Sequence, residues 1–170
     1  YNPYQSNIIW RLCMDRIDKK LVTLLQDNAR LPLKNLAEKV FLSSPAVSAR
    51  IERLEEEGII LKYEAKVDYK KLGYNITAFI NVEVAPVRKQ DFYEFINKCP
   101  SVIECNCVTG VYSMLLKVVF KSTEDLDIFI GQLQQFGRTS TQIVFSTLVE
   151  PRGIAVNTND TVNPGNKKEE

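Results

Sequence analysis

The chain has 170 residues, of which 45% are hydrophobic and 25% charged, a composition typical of a soluble globular protein with room for two small domains. Its 22 basic and 21 acidic side chains leave a net charge of +1, so total charge does not indicate a nucleic-acid partner. The sequence has no histidine, no G-x-S-x-G or H-E-x-x-H motif and no glycine-rich phosphate loop. We therefore expect no enzyme, cofactor or metal site, with catalysis by carboxylates alone as the open alternative.

The apolar runs and the cysteines indicate where such a protein works. No apolar run approaches the roughly 18 residues that span a bilayer, and no signal peptide is recognisable, so we expect a cytoplasmic protein without a membrane partner. The four cysteines, Cys13, Cys99, Cys105 and Cys107, lack C-x-x-C spacing and are too few for a disulfide framework. Cys105 and Cys107 would share a strand face and could sense redox state, but buried reduced thiols are the simpler interpretation.

Residues 1–13 precede a methionine at the start of the first periodic segment. Two interpretations stay open. Either Met14 is the native start and residues 1–13 are not native, or these residues form an arm that lies on a partner subunit through Ile8, Ile9 and Trp10.

The first two predicted helices follow Met14. Asp15 is a plausible N-cap for the first, which should stop near Asn28, and Pro32 suits the first position of the second. Both have apolar residues at helical spacing. These residues are Ile17, Leu21, Leu24 and Leu25 in the first helix, and Leu33, Leu36, Ala37 and Val40 in the second.

A third helix is predicted with Ser44 as its cap, Pro45 at its first position and Gly58 at its end. Its buried stripe would be Val47, Ile51 and Leu54. About three residues separate it from the second helix, which is the spacing of a helix-turn-helix arrangement.

The outward positions of the third helix are small or basic in its first turns and acidic only from Glu55 onward. Small side chains let a helix N-terminus enter a major groove, where its N–H groups and dipole also favour phosphate, and arginines there can reach guanine edges or phosphates. An ordinary surface helix is the alternative. The predicted DNA-binding residues are Lys34, Ser43, Ser44, Ala46, Ser48, Ala49, Arg50 and Arg53.

From residue 63 the apolar period changes to two, and from Ile76 onward the order of elements is βαββαβ, the ferredoxin-like unit. The predicted elements are a strand at 76–84, a helix from Phe92 to Cys99, strands at 102–108 and 112–120 about a Thr109–Gly110 turn, a helix from Leu126 to Leu133, and a strand from Ile143 to Val149. Residues 153–170 lack periodicity and predict a disordered tail.

Both helices of a ferredoxin-like unit cover one sheet face and leave the other open. The open face is predicted to carry Phe79, Leu115, Val119, Val144 and Leu148. Because monomers rarely expose a large contiguous apolar patch, this face predicts self-association into a homo-oligomer.

Three runs together resemble one known family. They are the D-x-I-D start at Asp15, the S-x-A-V-S-x-R-I-x-R-L-E-E-x-G-I-I run from Ser44 to Ile60, and the R-T-x-T-x-I-V-x-S run from Arg138 to Ser146. Over residues 14–152 the chain resembles the Lrp/AsnC (feast/famine) transcription regulators.

The resemblance implies an α+β protein. A helix-turn-helix DNA-binding domain would occupy residues 14–61, a hinge strand and linker 62–74, and a ferredoxin-like effector-binding and oligomerisation domain 75–152. The implied partners are double-stranded DNA, further copies of the chain as a homodimer or a higher oligomer such as an octamer, and a small amino-acid-like effector bound between dimers.

The chain departs from the family pattern in two places. Phe41 stands where the family usually has a turn glycine. If the backbone is left-handed there, a bulky residue lowers stability by about 1 kcal/mol. The turn at 110–113 lacks both acids of the family's G-D-x-D, so a ligand ammonium would have to be held by backbone groups and hydroxyls. An unusual effector, or none, is therefore equally open. The predicted effector residues are Gly110, Val111, Tyr112, Ser113, Thr139, Ser140 and Thr141.

Two other functions remain as alternatives. The near-neutral charge and the missing acids are compatible with a metabolite-binding or interaction module that has lost DNA affinity. Some proteins that resemble this family decarboxylate a tetrapyrrole precursor of haem with the help of histidines, and this chain has none.

Overall fold

A computed structural model of the chain describes residues 14–156. It forms two compact units, one from the described parts of Tyr1–Ala65 and Pro151–Glu170 and the other from Lys66–Glu150. The predicted N-terminal arm and residues 157–170 of the predicted tail lie outside the described residues, and residues 153–156 have no regular secondary structure. No helix of the described part has the length and apolar character that crossing a membrane requires.

The first unit contains three helices, α1 (Arg16–Asp27), α2 (Leu33–Val40) and α3 (Ser44–Glu56). Their apolar stripes meet in one core built from all three helices, with Leu21, Leu36 and Val47 almost fully buried. Ala37 also lies in this core, where its small side chain lets α2 and α3 pack closely. The predicted helix-turn-helix arrangement is therefore confirmed.

The helix caps agree with the sequence at α1 and differ at the other two helices. Asp15 Oδ1 accepts the N–H groups of Ile17 and Asp18 at 2.8 Å, and the Asp18 carboxylate accepts the N–H of Asp15, which completes a capping box. The cap of α3 is Ser43 rather than the predicted Ser44, because Ser44 is already helical and the Ser43 hydroxyl accepts the Ala46 N–H. Pro32 is likewise the N-cap of α2 rather than its first residue.

Phe41 ends α2 in the left-handed conformation, at φ 57° and ψ 44°. The condition for the predicted backbone strain is therefore met. The ring is 90% exposed, and the Lys20 ammonium lies 5.6 Å from its centroid. Because the ring is so exposed, its burial contributes little free energy to offset the strain of the backbone at this position.

Phe41→Gly is expected to raise the free energy of unfolding of the three-helix unit by about 0.5–1 kcal/mol. Glycine adopts this conformation without strain, while its greater freedom in the unfolded chain and the lost Lys20 contact offset part of the gain. Phe41→Ala is the control, because it removes the ring and keeps the Cβ. Chemical denaturation measures the free energy of unfolding of both variants. An equal change in this free energy for the two would contradict backbone strain at Phe41.

The second unit is a four-stranded antiparallel sheet in the order β2-β3-β1-β4 with two helices. Its elements are β1 (Ile76–Val82), α4 (Lys89–Asn97), β2 (Val102–Cys107), β3 (Met114–Phe120), α5 (Thr123–Leu133) and β4 (Thr139–Ile143), with a 3-10 turn at Pro86–Arg88 before α4. The predicted βαββαβ order and the α+β class are confirmed.

Both helices cover the same face of this sheet, as predicted. Phe92 of α4 and Leu133 of α5 are fully buried together with Ile80 and Leu116 of the central strands. The rings of Phe92 and Phe136 meet edge to face, with centroids 5.4 Å apart. This core holds β1 and β3 rigidly, and the ends of these strands position the loops of one candidate site.

The sheet face opposite the helices is more polar than the sequence suggested. Strand alternation places Phe79, Leu115, Val119 and Val144 there, but Asn81, Lys117 and Gln142 lie between them. The Lys117 ammonium lies over the Phe79 ring, and Asn81 donates to Gln142. Val119 is only 3% exposed, which leaves the apolar area of this face small.

The last strand was predicted too late in the chain. It runs from Thr139 to Ile143 rather than from Ile143 to Val149, and Leu148 lies outside the sheet with 94% exposure. The cause is the register of β4 on β1, which pairs Val82 with Thr139 and so brings Ile143 opposite Ala78, close to the start of β1. The assignment of Leu148 to the open sheet face is wrong for the same reason.

Two further predictions differ from the structure. Residues 61–75 contain no strand, although Leu61, Tyr63, Val67 and Tyr69 alternate with charged residues and are exposed. A strand needs a hydrogen-bonded neighbour, and no strand of the described chain pairs with this segment. The prediction of buried thiols is wrong for Cys105 and Cys107, which are exposed because β2 is an edge strand, while Cys99 is half-buried.

Candidate functional site

The exposed face of α3 is a stripe that is one residue wide in its first turns and becomes wider from Glu52 onward. Pro45, Ala49, Glu52 and Arg53 are exposed at helical spacing, opposite Val47 and Leu54, which are fully buried. The first turns of this stripe carry only the small side chains Pro45 and Ala49. Another molecular surface can therefore approach the helix backbone closely at this end.

The predicted DNA-binding residues lie at the surface of the three-helix unit. Lys34, on α2, is exposed, as are Ser43, Ala49 and Arg53, whereas Ser44, Ala46, Ser48 and Arg50 are half-buried. The Ser43 hydroxyl is occupied in part, because it caps α3. The structure thus groups seven of the eight residues on α3 or at its cap.

The two arginines of α3 bind the carboxylates at the start of α1. Arg50 Nη1 lies 2.6 Å from Asp15 Oδ2 and 2.7 Å from Asp18 Oδ1, and Arg53 Nη2 lies 2.5 Å from Asp18 Oδ2. Asp18 is 1% exposed, and the arginine side chains are 29% and 43% exposed. This cluster, Asp15, Asp18, Arg50 and Arg53, fastens α3 to α1 and is called the arginine clamp below.

The electrostatics of the arginine clamp follow from these contacts. Partial burial disfavours ionised Asp15, but the N–H of Asp18 and the Arg50 guanidinium outweigh it and hold the pKa of Asp15 below its usual value. Hydrogen bonds to Asp15 and Asp18 raise the pKa of Arg50, and the hydrogen bond to Asp18 raises that of Arg53. Both arginines therefore keep their charge in the clamp.

The clamp is not among the predictions made from the sequence, which assigns Arg50 and Arg53 to guanine edges or phosphates. A contact of these arginines with DNA stays a prediction, and it would compete with their hydrogen bonds to Asp18. A signal for the clamp was present. Two acids three residues apart on α1 and two arginines three residues apart on α3 place both pairs on one side of their helices.

A second group of predicted residues meets at one end of the sheet. The Ser113 N–H donates to the Val82 carbonyl at 3.1 Å, and the Glu83 N–H donates to the Arg138 carbonyl at 2.9 Å. These bonds bring the turn at 110–113 and the start of β4 to the end of β1. The place where they meet is called the loop end of the sheet.

The predicted effector residues do not form a single surface at the loop end. The Ser113 hydroxyl accepts the Val84 N–H at 3.0 Å and donates to the Val84 carbonyl at 3.2 Å, so its role here is structural. Thr139 and Thr141 face the helices, since they pair with Val82 and Ile80, whereas Ser140 pairs with Asn81 and faces the other side. Gly110 and Val111 are exposed, and Tyr112 is half-buried.

Glu83 and Arg138 are the charged groups at the loop end, and neither is among the predicted residues. Both are exposed, their backbones are hydrogen-bonded to each other, and strand alternation places them on the same sheet face as Asn81 and Ser140. A carboxylate and a guanidinium on one sheet face match an ammonium and a carboxylate on one small ligand. Arg138 opens the R-T-x-T run, which was the available signal.

The sequence matches two family descriptions that cover the two units. Residues 14–60 match a winged helix-turn-helix DNA-binding family, and residues 77–154 match the Lrp/AsnC ligand binding domain. The chain is 37% identical over 152 residues to the transcriptional regulator AzlB of Bacillus subtilis, across 85% of this chain and 96% of AzlB.

Solved structures of similar proteins have the same fold. LrpC of B. subtilis superposes with a TM-score of 0.77 at 30% identity, over 81% of this chain and 99% of LrpC. The transcriptional regulator NMB0573 of Neisseria meningitidis, in complex with L-Met, gives a TM-score of 0.77 at 27% identity, over 81% of this chain and 93% of that protein.

Proposed function

Since this chain belongs to the Lrp/AsnC family of helix-turn-helix transcriptional regulators, we propose that the N-terminal half of α3 enters the major groove of duplex DNA and that an amino-acid-like effector binds at the loop end of the sheet. One observation carries the DNA-binding part. The first turns of α3 present only Pro45 and Ala49 outward, so its backbone can come close to the base edges.

The proposed working form is a homodimer that assembles further, for example into an octamer. Exposed Leu61, Tyr63, Val67 and Tyr69 alternate with charged residues in a segment that has no strand partner among the described residues. A twofold dimer would bind pseudo-palindromic DNA whose half-sites lie about one helical turn, roughly 34–36 Å, or a multiple of it apart.

Ala49→Glu is expected to weaken binding to the chain's own upstream DNA at least about tenfold, because it places a bulky anion against the groove. Gln134→Glu, at the exposed end of α5, makes the same charge change away from the proposed interface and should bind normally. Fluorescence anisotropy at low salt, with random duplex as competitor, measures both. Equal affinities would exclude this face of α3, and no binding by any variant would favour an interaction module without DNA affinity.

The effector part rests on charge. An amino acid carries an ammonium and a carboxylate, and the exposed Glu83 and Arg138 offer the matching pair on one sheet face. Glu83 thereby takes the place of the acids that the turn at 110–113 lacks. The L-Met complex of a relative supports a ligand of this class.

Glu83→Gln is expected to weaken amino-acid binding by about tenfold or more, because a neutral amide replaces a charge-assisted acceptor. A thermal-shift screen of the twenty amino acids identifies the ligand, since a compound at about a hundred times its Kd adds roughly 2.7 kcal/mol of stability. Calorimetry then compares the variants. Asp127→Asn, an exposed acid on α5, is the control, and equal loss in both would remove Glu83 from the site.

A further inference from the structure

The arginine clamp leaves the question of which side chain on α3 reads a base. Asp18 is almost completely buried and accepts from both Arg50 and Arg53. If either arginine turned to the DNA, this carboxylate would lose a partner in a place that water does not reach. The two arginines of α3 therefore contribute to the packing of α3 on α1, and they are poorly suited to bind base edges.

Glu52 is the remaining candidate on the exposed stripe of α3. Of the exposed residues from Pro45 to Arg53, Pro45 and Ala49 have no side-chain hydrogen-bonding groups, and Arg53 is held by Asp18. At about 3.6 residues per turn, Glu52 lies one turn beyond Ser48 and two beyond Pro45, on the same side of the helix. A helix that docks with Pro45 and Ala49 against the groove brings Glu52 to the base edges with them.

Ser48 orients the Glu52 side chain. Its hydroxyl donates to Glu52 Oε1 at 3.0 Å, which restricts the rotamers of the carboxylate and occupies part of one oxygen. The other oxygen stays available as an acceptor. The pair therefore presents a preorganised acceptor, flanked by the small side chain of Ala49, on the face proposed to meet DNA.

The base that suits such an acceptor follows from the major-groove pattern. A carboxylate can only accept hydrogen bonds, so it is repelled by the O6 and N7 of guanine and by the O4 of thymine. Adenine offers its N6 donor beside the acceptor N7, whereas cytosine offers N4 without an adjacent acceptor. We propose that Glu52, positioned by Ser48, reads a cytosine in each half-site, an inference that rests on the DNA binding proposed for α3.

The test is selection of bound duplexes from a randomised library, followed by sequencing, with the full-length protein. The wild type should select a cytosine at one position in each half-site. Glu52→Gln should lower the discrimination for cytosine there by about tenfold or more and shift the preference towards adenine, which a glutamine amide matches on N6 and N7. Ser48→Ala should lower the same discrimination by a smaller factor, at the same position, because the carboxylate loses its orienting donor.

Glu56→Gln is the matched control, since it removes the same charge one turn further along the exposed side of α3. It should retain the wild-type base preferences. The inference is overturned if Glu52→Gln selects the same bases as the wild type at every position, or if the wild type binds DNA without any cytosine preference. A wild type that retains no duplex at all would overturn the proposed DNA binding itself, which is a different result.

Discussion

Asp18→Ala is expected to lower the free energy of unfolding of the three-helix unit by about 2–3 kcal/mol. The carboxylate accepts from Arg50, Arg53 and the Asp15 N–H, so the variant loses two of the three ion pairs of the arginine clamp and half of the capping box together. The expected loss in the free energy of unfolding is smaller than for a fully buried ion pair, because both arginines are partly exposed and water can reach them. Hydrogen exchange of the α1 and α3 amides during denaturation reports on this unit alone.

Asp27→Ala serves as the comparison for Asp18→Ala. This acid is exposed at the opposite end of α1, and its removal should change stability by less than about 0.5 kcal/mol. A double-mutant cycle of Asp18→Ala with Arg50→Ala should show a coupling of at least about 0.5 kcal/mol. Additive effects would mean that the contact between Asp18 and Arg50 contributes no coupling energy to stability.

Gly137→Ala is expected to destabilise the second unit by about 3 kcal/mol or more. A Cβ at Gly137 would lie 1.9 Å from the Glu83 carbonyl oxygen, and the residue sits at φ 153°, where side chains are strained. The obstacle is backbone, so no side-chain rotation relieves it. The turn into β4 would have to move, and the Glu83–Arg138 hydrogen bond would break. Chemical denaturation followed by exchange of the sheet amides measures the loss.

Gly131→Ala is the contrasting variant for this turn. Gly131 lies inside α5 with open space around its Cα, so alanine should stabilise the second unit by about 0.5–1 kcal/mol through its higher helix propensity. Opposite signs for the two variants would confirm that Gly137 is required for a close approach. If Gly137→Ala were as stable as wild type, the described turn would be wrong.

The Gly137 turn also ties stability to the proposed effector site. It places the backbone of Arg138 beside that of Glu83, and it sets the register that puts Thr139 and Thr141 on the helix-covered face and Ser140 on the other. Sequence pattern finds the residue types in this run but not the register that decides which of them share a face with Glu83. The predicted effector residues therefore lie on two faces of the sheet, and the charged residues Glu83 and Arg138 were not among them.

Short-range patterns were enough for most of the architecture. The N-cap at Asp15, the apolar stripes of the helices and the period-two strands depend on residues a few positions apart, and their predictions hold. The left-handed backbone at Phe41 was stated only as the condition for strain, and it rested on the glycine that the family usually has there. The errors at Ser43, Pro32 and the limits of β4 lie at element boundaries, where local pattern is weakest.

Spacing within one segment is enough to predict the order of elements and the helix whose first turn is small and open. Folding in three dimensions brings Arg50 and Arg53 to Asp18, and the backbone of Glu83 to that of Arg138. These partners are far apart in the chain, 32 and 35 residues for the two arginines. Whether such groups meet depends on helix crossing and strand register, which the folded core sets and a linear pattern does not contain.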